Sequence, residues 1–174
     1  MFALLWEAIP VEALTRYHAA TGDARFQALW ELLVIAWALR TWRHLLEEQD
    51  LRVAVRSDSV AALSTALKLS SRCPAMNDLA MEMALDLAAA GIELDVVEHL
   101  PGHLNTQCDA LSRLTAPEPA QFPPALAAVP RSRAPPLTWK ADATPAATLA
   151  DRSWLRDVAA LGSAVPRKRQ RKHL

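Results

Sequence analysis

Apolar residues recur at spacings of three and four between Ala24 and Glu48. Phe26, Trp30, Leu33 and Trp37 form one stripe, and Leu29, Leu32, Ala36 and Leu39 form its neighbour. That period predicts a helix apolar around most of its girth and therefore largely buried. Arg40, Arg43, Glu47 and Glu48 mark where it emerges into water. Glu31 breaks the pattern, standing among Trp30, Leu32 and Leu33. A carboxylate in apolar surroundings is costly unless it is paired or holds a cation, so Glu31 either lies on the helix's one wet edge or has a partner.

The period then changes from helical to alternating. In Leu51 to Ser57, Leu51, Val53 and Val55 alternate with Arg52, Ala54 and Arg56, which predicts a strand. Asp58 ends it, and Ser59 can cap a helix from about Val60 to Leu69. Residues 70–75 read as a loop. A second helix is expected from about Met76 to Ala90, with Met76, Leu79, Ala80, Met83 and Leu87 as its buried stripe. Gly91 stands where a glycine commonly ends a helix. Ile92 to His99 reads as another strand, Pro101-Gly102 as a turn, and Asn105 as the cap of a short helix through Arg113.

Upstream, Phe2 to Trp6 is a short apolar run fitting a strand or a helical turn. Val11 to Ala20 has loose helical spacing, and Thr21-Gly22-Asp23 is a break. Helices interleaved with strands predict an α/β domain with helices packed on a sheet. Two clear strands are too few for a stable sheet, which takes about three. Either the N-terminal apolar run adds an edge strand or the domain is incomplete.

After Leu114 the pattern disappears. Residues 115–147 are rich in proline and alanine and are expected to form a disordered linker. Residues 148–162 fit an amphipathic helix with Ala150, Trp154, Val158 and Leu161 on one face. Residues 163–174 make a basic tail with five bases among the six residues from Arg167 to Lys172. Such a run suits phosphate contacts or nuclear import, which makes an importin a partner to expect.

Charge sharpens this division. The formal net charge is zero, which alone would argue against a nucleic-acid partner. Residues 1–115, however, carry 15 acids and 9 bases, and residues 116–174 carry 4 acids and 10 bases. The zero is an acidic body set against a basic tail, and nine of the twelve prolines lie in that second part. Cys73 and Cys108 are too few for a disulfide framework and form no CxxC pair. The N-terminus lacks a basic signal-peptide region. The longest apolar run, Leu32 to Leu39, falls far short of the roughly 18 residues that span a bilayer. A soluble intracellular protein, nuclear or cytoplasmic and without a membrane partner, is expected.

Three carboxylates stand out: Glu31 in a buried helix, Asp58 at a strand's carboxyl end, where α/β folds collect their sites, and Asp109 in the helix after the last strand. Acids converging without a basic partner suit a hard cation such as Mg²⁺. The surrounding sequences, ALWELLVIAWALRTW, LRVAVRSDSVAAL and VVEHLPGHLNTQCDALSRL, resemble the ribonuclease H domains of retroelement reverse transcriptase polyproteins. The last block carries the most specific match, a His-x-Pro-Gly…Asn…Asp-x-Leu-Ser-Arg signature in His99, Pro101, Gly102, Asn105, Asp109, Leu111, Ser112 and Arg113. Ser57-Asp58-Ser59 matches the family's strand end, and Trp30-Glu31 its helical pair.

The resemblance spans residues 1–114. It implies a ribonuclease H-like mixed sheet flanked by helices. It also implies a site with Glu31, Asp58 and Asp109 as metal-holding catalytic acids, Mg²⁺ or Mn²⁺ as the cofactor, and His103 assisting proton transfer or product release. The implied reaction is hydrolysis of the RNA strand of an RNA–DNA hybrid. One element of the family pattern has no counterpart. The first-strand Asp should precede the helical Glu, yet only Glu7, Glu12 and Asp23 precede Glu31, and none lies in the family's motif. The expectation is therefore a domain lacking the family's first strands, weak or inactive as a nuclease. The alternative is a non-catalytic adaptor or nucleic-acid-binding protein that uses the same fold and the basic tail.

Overall fold

A computed structural model describes residues 4–5, 7–46, 53–114 and 116–140. It shows a mixed α/β arrangement of helices and short parallel strand pairs. The chain divides into two compact units, one running to Thr138 and the other from Trp139 to Leu174. The expected helix at 148–162 and the basic tail at 163–174 lie outside the described residues.

The apolar stripes of residues 24–48 form the centre of the first unit. A 3₁₀ turn at Ala24–Phe26 leads into helix α2, Gln27–Thr41, after the shorter helix α1, Val11–Arg16. Trp42 interrupts the run, and α3, Arg43–Leu46, follows. Leu29, Leu32, Leu33, Ile35, Ala36, Trp37 and Leu39 are all buried on α2, whereas Phe26 and Trp30 of the expected stripes are only half-buried at its N-terminal end. Helix α4, Val60–Lys68, and helix α5, Pro74–Ala90, pack against it. Helix α5 begins two residues earlier than its apolar pattern alone indicates. Pro74 occupies its first turn, where a missing N–H costs nothing and the fixed φ suits a helix. Its expected stripe is buried throughout, and Gly91 closes it with φ +63°.

Strands β2, Val53–Ser57, and β3, Leu94–His99, pair in parallel across the two-helix crossover. Leu51 and Arg52 of the expected strand fall outside the described residues. Ser57 stands opposite His99, and an irregularity between Val53 and Ala54 shifts the register at the other end. Helix α4 packs on both strands. The N-terminal apolar run does supply a strand, β1, Leu4–Leu5, but not to this pair. It pairs in parallel with β4, Arg131–Ser132. Every strand pairing among the described residues is parallel, where a mixed sheet was expected.

The folded unit also outlasts the boundary expected at residue 114. Within the Pro/Ala-rich stretch read as a disordered linker, Pro123 is buried and β4 pairs with β1. Three side chains from the 37–42 region bond to residues 132–138. Proline forfeits a donor but keeps its carbonyl, so a proline-rich chain can still be held by donors from its neighbours.

Two charged clusters tie helices together. Arg16 on α1 makes two bonds to Asp78 on α5, at 2.9 and 3.1 Å, and the Tyr17 hydroxyl donates to the same carboxylate at 3.1 Å. Burial, with the Asp78 charge behind it, pushes the Tyr17 hydroxyl well above the ordinary phenol range. Arg40 on α2 meets two buried acids of α5, reaching Glu82 at 3.1 Å and also bonding Asp86. Glu82 is wholly buried. Among the described residues, no helix is long and apolar enough to cross a membrane.

Candidate functional site

The carboxyl ends of β2 and β3 form one edge, and the two segments that follow them meet there. The Leu100 amide donates to the Ser57 carbonyl at 2.8 Å, carrying the ladder one residue past His99. Beyond Ser57 the chain turns at Asp58, where the Ser57 hydroxyl accepts from the Ser59 amide at 3.1 Å. Ser59 caps α4 as its sequence position predicts, its hydroxyl accepting from the Ala62 amide at 3.3 Å. Asp58 is thereby held, exposed, at the mouth of the strand pair.

On the neighbouring strand, Pro101 leads into a 3₁₀ turn, Gly102–Leu104, and then helix α6, Thr106–Ser112. The place a Cβ would take on Gly102 lies 3.9 Å from Asp58 Oδ2, so the turn passes directly over the carboxylate. His103 is the next residue and is exposed. Cys108, on α6, also lies at the surface rather than buried as a small core residue would be. The protein around its thiol nevertheless desolvates it, and the Asp58 carboxylate adds its charge. Both effects raise the thiol above its ordinary range. Asp58, the Pro-Gly-His turn and the face of α6 bearing Cys108 therefore share one locality.

The two remaining acids are otherwise engaged. Asp109, on α6, is exposed and accepts from Arg113 Nε at 3.0 Å, an i,i+4 pair within its own signature block. Glu31 is half-exposed and accepts from Gln27 Nε2 at 3.0 Å one helical turn earlier. Glu31 thus stands on a partly wet edge of the helix and also has a hydrogen-bond partner there. Asn105 precedes α6 at the capping position, but its side chain makes no capping bond.

No group of three or more His, Cys, Asp or Glu side chains able to hold a metal ion occurs among the described residues. Asp58 is the exposed carboxylate at the strand ends. Mg²⁺ retains much of its water and is commonly held by one or two carboxylates together with substrate phosphates. A single exposed carboxylate at the strand ends fits that mode. A closed cage of protein ligands is not what these side chains form.

The nearness of Cys108 to Asp58 has a local signal only on one side, its place directly before Asp109 in the signature block. The buried Arg40–Glu82–Asp86 cluster gives fainter notice. Glu82 and Asp86 sit one turn apart, as a solvated acidic edge would, and only the packing of α5 on α2 buries them. No protein-family model, curated protein or solved structure matches the chain.

Proposed function

We propose that the chain carries a ribonuclease H-like domain acting on the phosphodiester backbone of nucleic acid, with the RNA strand of an RNA–DNA hybrid as its substrate. The observation that carries this reading is the meeting of two motifs some forty residues apart in sequence, Ser57-Asp58-Ser59 and His99-Leu-Pro-Gly-His103, at one end of a parallel strand pair. In α/β folds, substrates enter at the carboxyl ends of strands.

Asp58 would hold Mg²⁺ or Mn²⁺ jointly with a substrate phosphate. When bound, the ion supplies charge stabilisation to the attacking and leaving oxygens. Asp109 would join it once released from Arg113, and His103 would move a proton as product departs. Glu31, bonded along its own helix, would be the most distant contributor. With Asp109 engaged by Arg113, catalysis is expected to be slow.

The test is cleavage of a labelled RNA–DNA hybrid in Mg²⁺ or Mn²⁺. Slow, metal-dependent cleavage is expected to fall about a hundredfold in Asp58→Asn, as when one key electrostatic contact is removed. It should rise about twofold in Arg113→Ala, the worth of an exposed i,i+4 ion pair. Cleavage insensitive to Asp58→Asn would sink this site. The Asp109–Arg113 pair also favours a second reading, a non-catalytic nucleic-acid-binding or adaptor domain. Hybrid binding without cleavage in any variant would select it.

A further inference from the structure

Residues 131–138, RSRAPPLT, begin in strand β4 and continue past Ser132 as an extended stretch lying against the C-terminal half of α2. Three side-chain donors from residues 37–42 reach the segment at every third residue. Trp42 Nε1 donates to Ser132 Oγ at 3.4 Å, Trp37 Nε1 to the Pro135 carbonyl at 3.0 Å, and Arg40 Nη1 to the Thr138 carbonyl at 3.0 Å. Three residues is the turn of a polyproline II helix, a backbone with no internal hydrogen bonds and its carbonyls free to accept. Residues 133–138 have no helix or strand pairing of their own.

None of the eight residues is fully buried, although Trp37 beneath them is only 6% exposed. The segment thus lies over Trp37 at the surface while remaining partly exposed itself. Its upstream end is anchored by the β1–β4 pairing and by Arg131 to Glu7 at 3.2 Å. Two of the donors belong to α2 itself, Arg40 being also fixed by Glu82 and Asp86 on α5. An indole aimed at the carbonyl of a proline-rich chain is a general means of recognising such peptides, and a pre-extended ligand gives up little entropy on binding.

We propose that Trp37, Arg40 and Trp42 form a docking groove for extended proline-rich peptides, which the chain fills with its own residues 131–138 and which a proline-rich segment of another protein can occupy instead. A ligand tethered in the same chain competes at an effective concentration in the millimolar range. The partner is therefore excluded until the segment lifts.

The test uses the full chain with residues 131–138 replaced by an alternating Gly-Ser sequence, and a fluorescently labelled RSRAPPLT peptide added in trans. The emptied chain should melt cooperatively and bind the peptide saturably, at least about tenfold more tightly than the intact chain does. Adding Trp37→Phe, which deletes the indole donor, should weaken that binding about fivefold, the worth of one hydrogen bond. A folded, emptied chain that does not bind the peptide overturns the proposal. So does loss of the cooperative melt on emptying, since a detachable ligand is not required for folding. If the intact chain dimerises with concentration and the emptied chain does not, the occupant is a second copy and the proposed partner is overturned.

Discussion

At the scale of single residues, the chemistry turns on which partner each carboxylate has found. Asp58 faces the Gly102 turn and acts on Cys108 through space. Asp109 has Arg113 and Glu31 has Gln27. The Cys108 thiol gives a direct measure of the first relationship. Its pKa is raised by desolvation and then by the Asp58 charge, so the neutral thiol is favoured and its alkylation should begin above the pH at which a free thiol reacts. In Asp58→Asn the charge is gone, and the alkylation midpoint should move downward. The pH profile of Cys108 modification, followed by mass spectrometry to separate it from Cys73, checks this. An unmoved midpoint would mean that Asp58 does not face Cys108. The three acids were legible as residues from their local sequences. Their partners were not, because an ion pair or a burial is a property of what packs alongside.

At the scale of elements, periodicity located the helices well because burial of one face is what most stabilises them. The stripe on α5 is buried as its spacing requires, and so are six of the eight stripe residues of the 24–48 helix, Phe26 and Trp30 being only half-buried. The cap at Ser59 and the left-handed Gly91 stand where their residue types place them. Two acids on α5 escaped that logic. Glu82 and Asp86 lie on the buried side because Arg40 comes across from α2 to meet them. Such a cluster adds little over a well-packed apolar replacement, yet it is costly to break on one side. Arg40→Met would leave two acids buried beside each other without this cation and should destabilise the fold by about 3–5 kcal/mol. Urea unfolding measures the effect, and a change within about 0.5 kcal/mol would mean that the acids are held by other groups.

At the scale of the whole molecule, the asymmetry of charge suggests a division of labour. Residues 1–115 are net acidic, which suits a site for cations but repels phosphate, and the bases gather downstream. If the downstream bases carry the affinity for nucleic acid, binding should depend steeply on salt. Removing residues 163–174 takes away the five bases between Arg167 and Lys172. It should flatten the slope of log affinity against log salt by up to about 4.5, since each phosphate neutralised by a base adds close to 0.9 to that slope. Fluorescence anisotropy with a labelled hybrid at several salt concentrations gives the value. An unchanged slope would exclude the tail from the interface.

The sequence by itself determined the helices of the described residues, the two longer strands, the Ser59 cap and the Gly91 stop, because each depends on neighbours within a few positions. Tertiary structure alone decided the parallel register that sets Ser57 opposite His99 and Gly102 over Asp58. It also decided the burial of Glu82 against Arg40 and the docking of residues 131–138 on α2. Each of these joins residues some forty to a hundred positions apart. Their pairing depends on the geometry in which helices and strands pack, which local spacing does not encode.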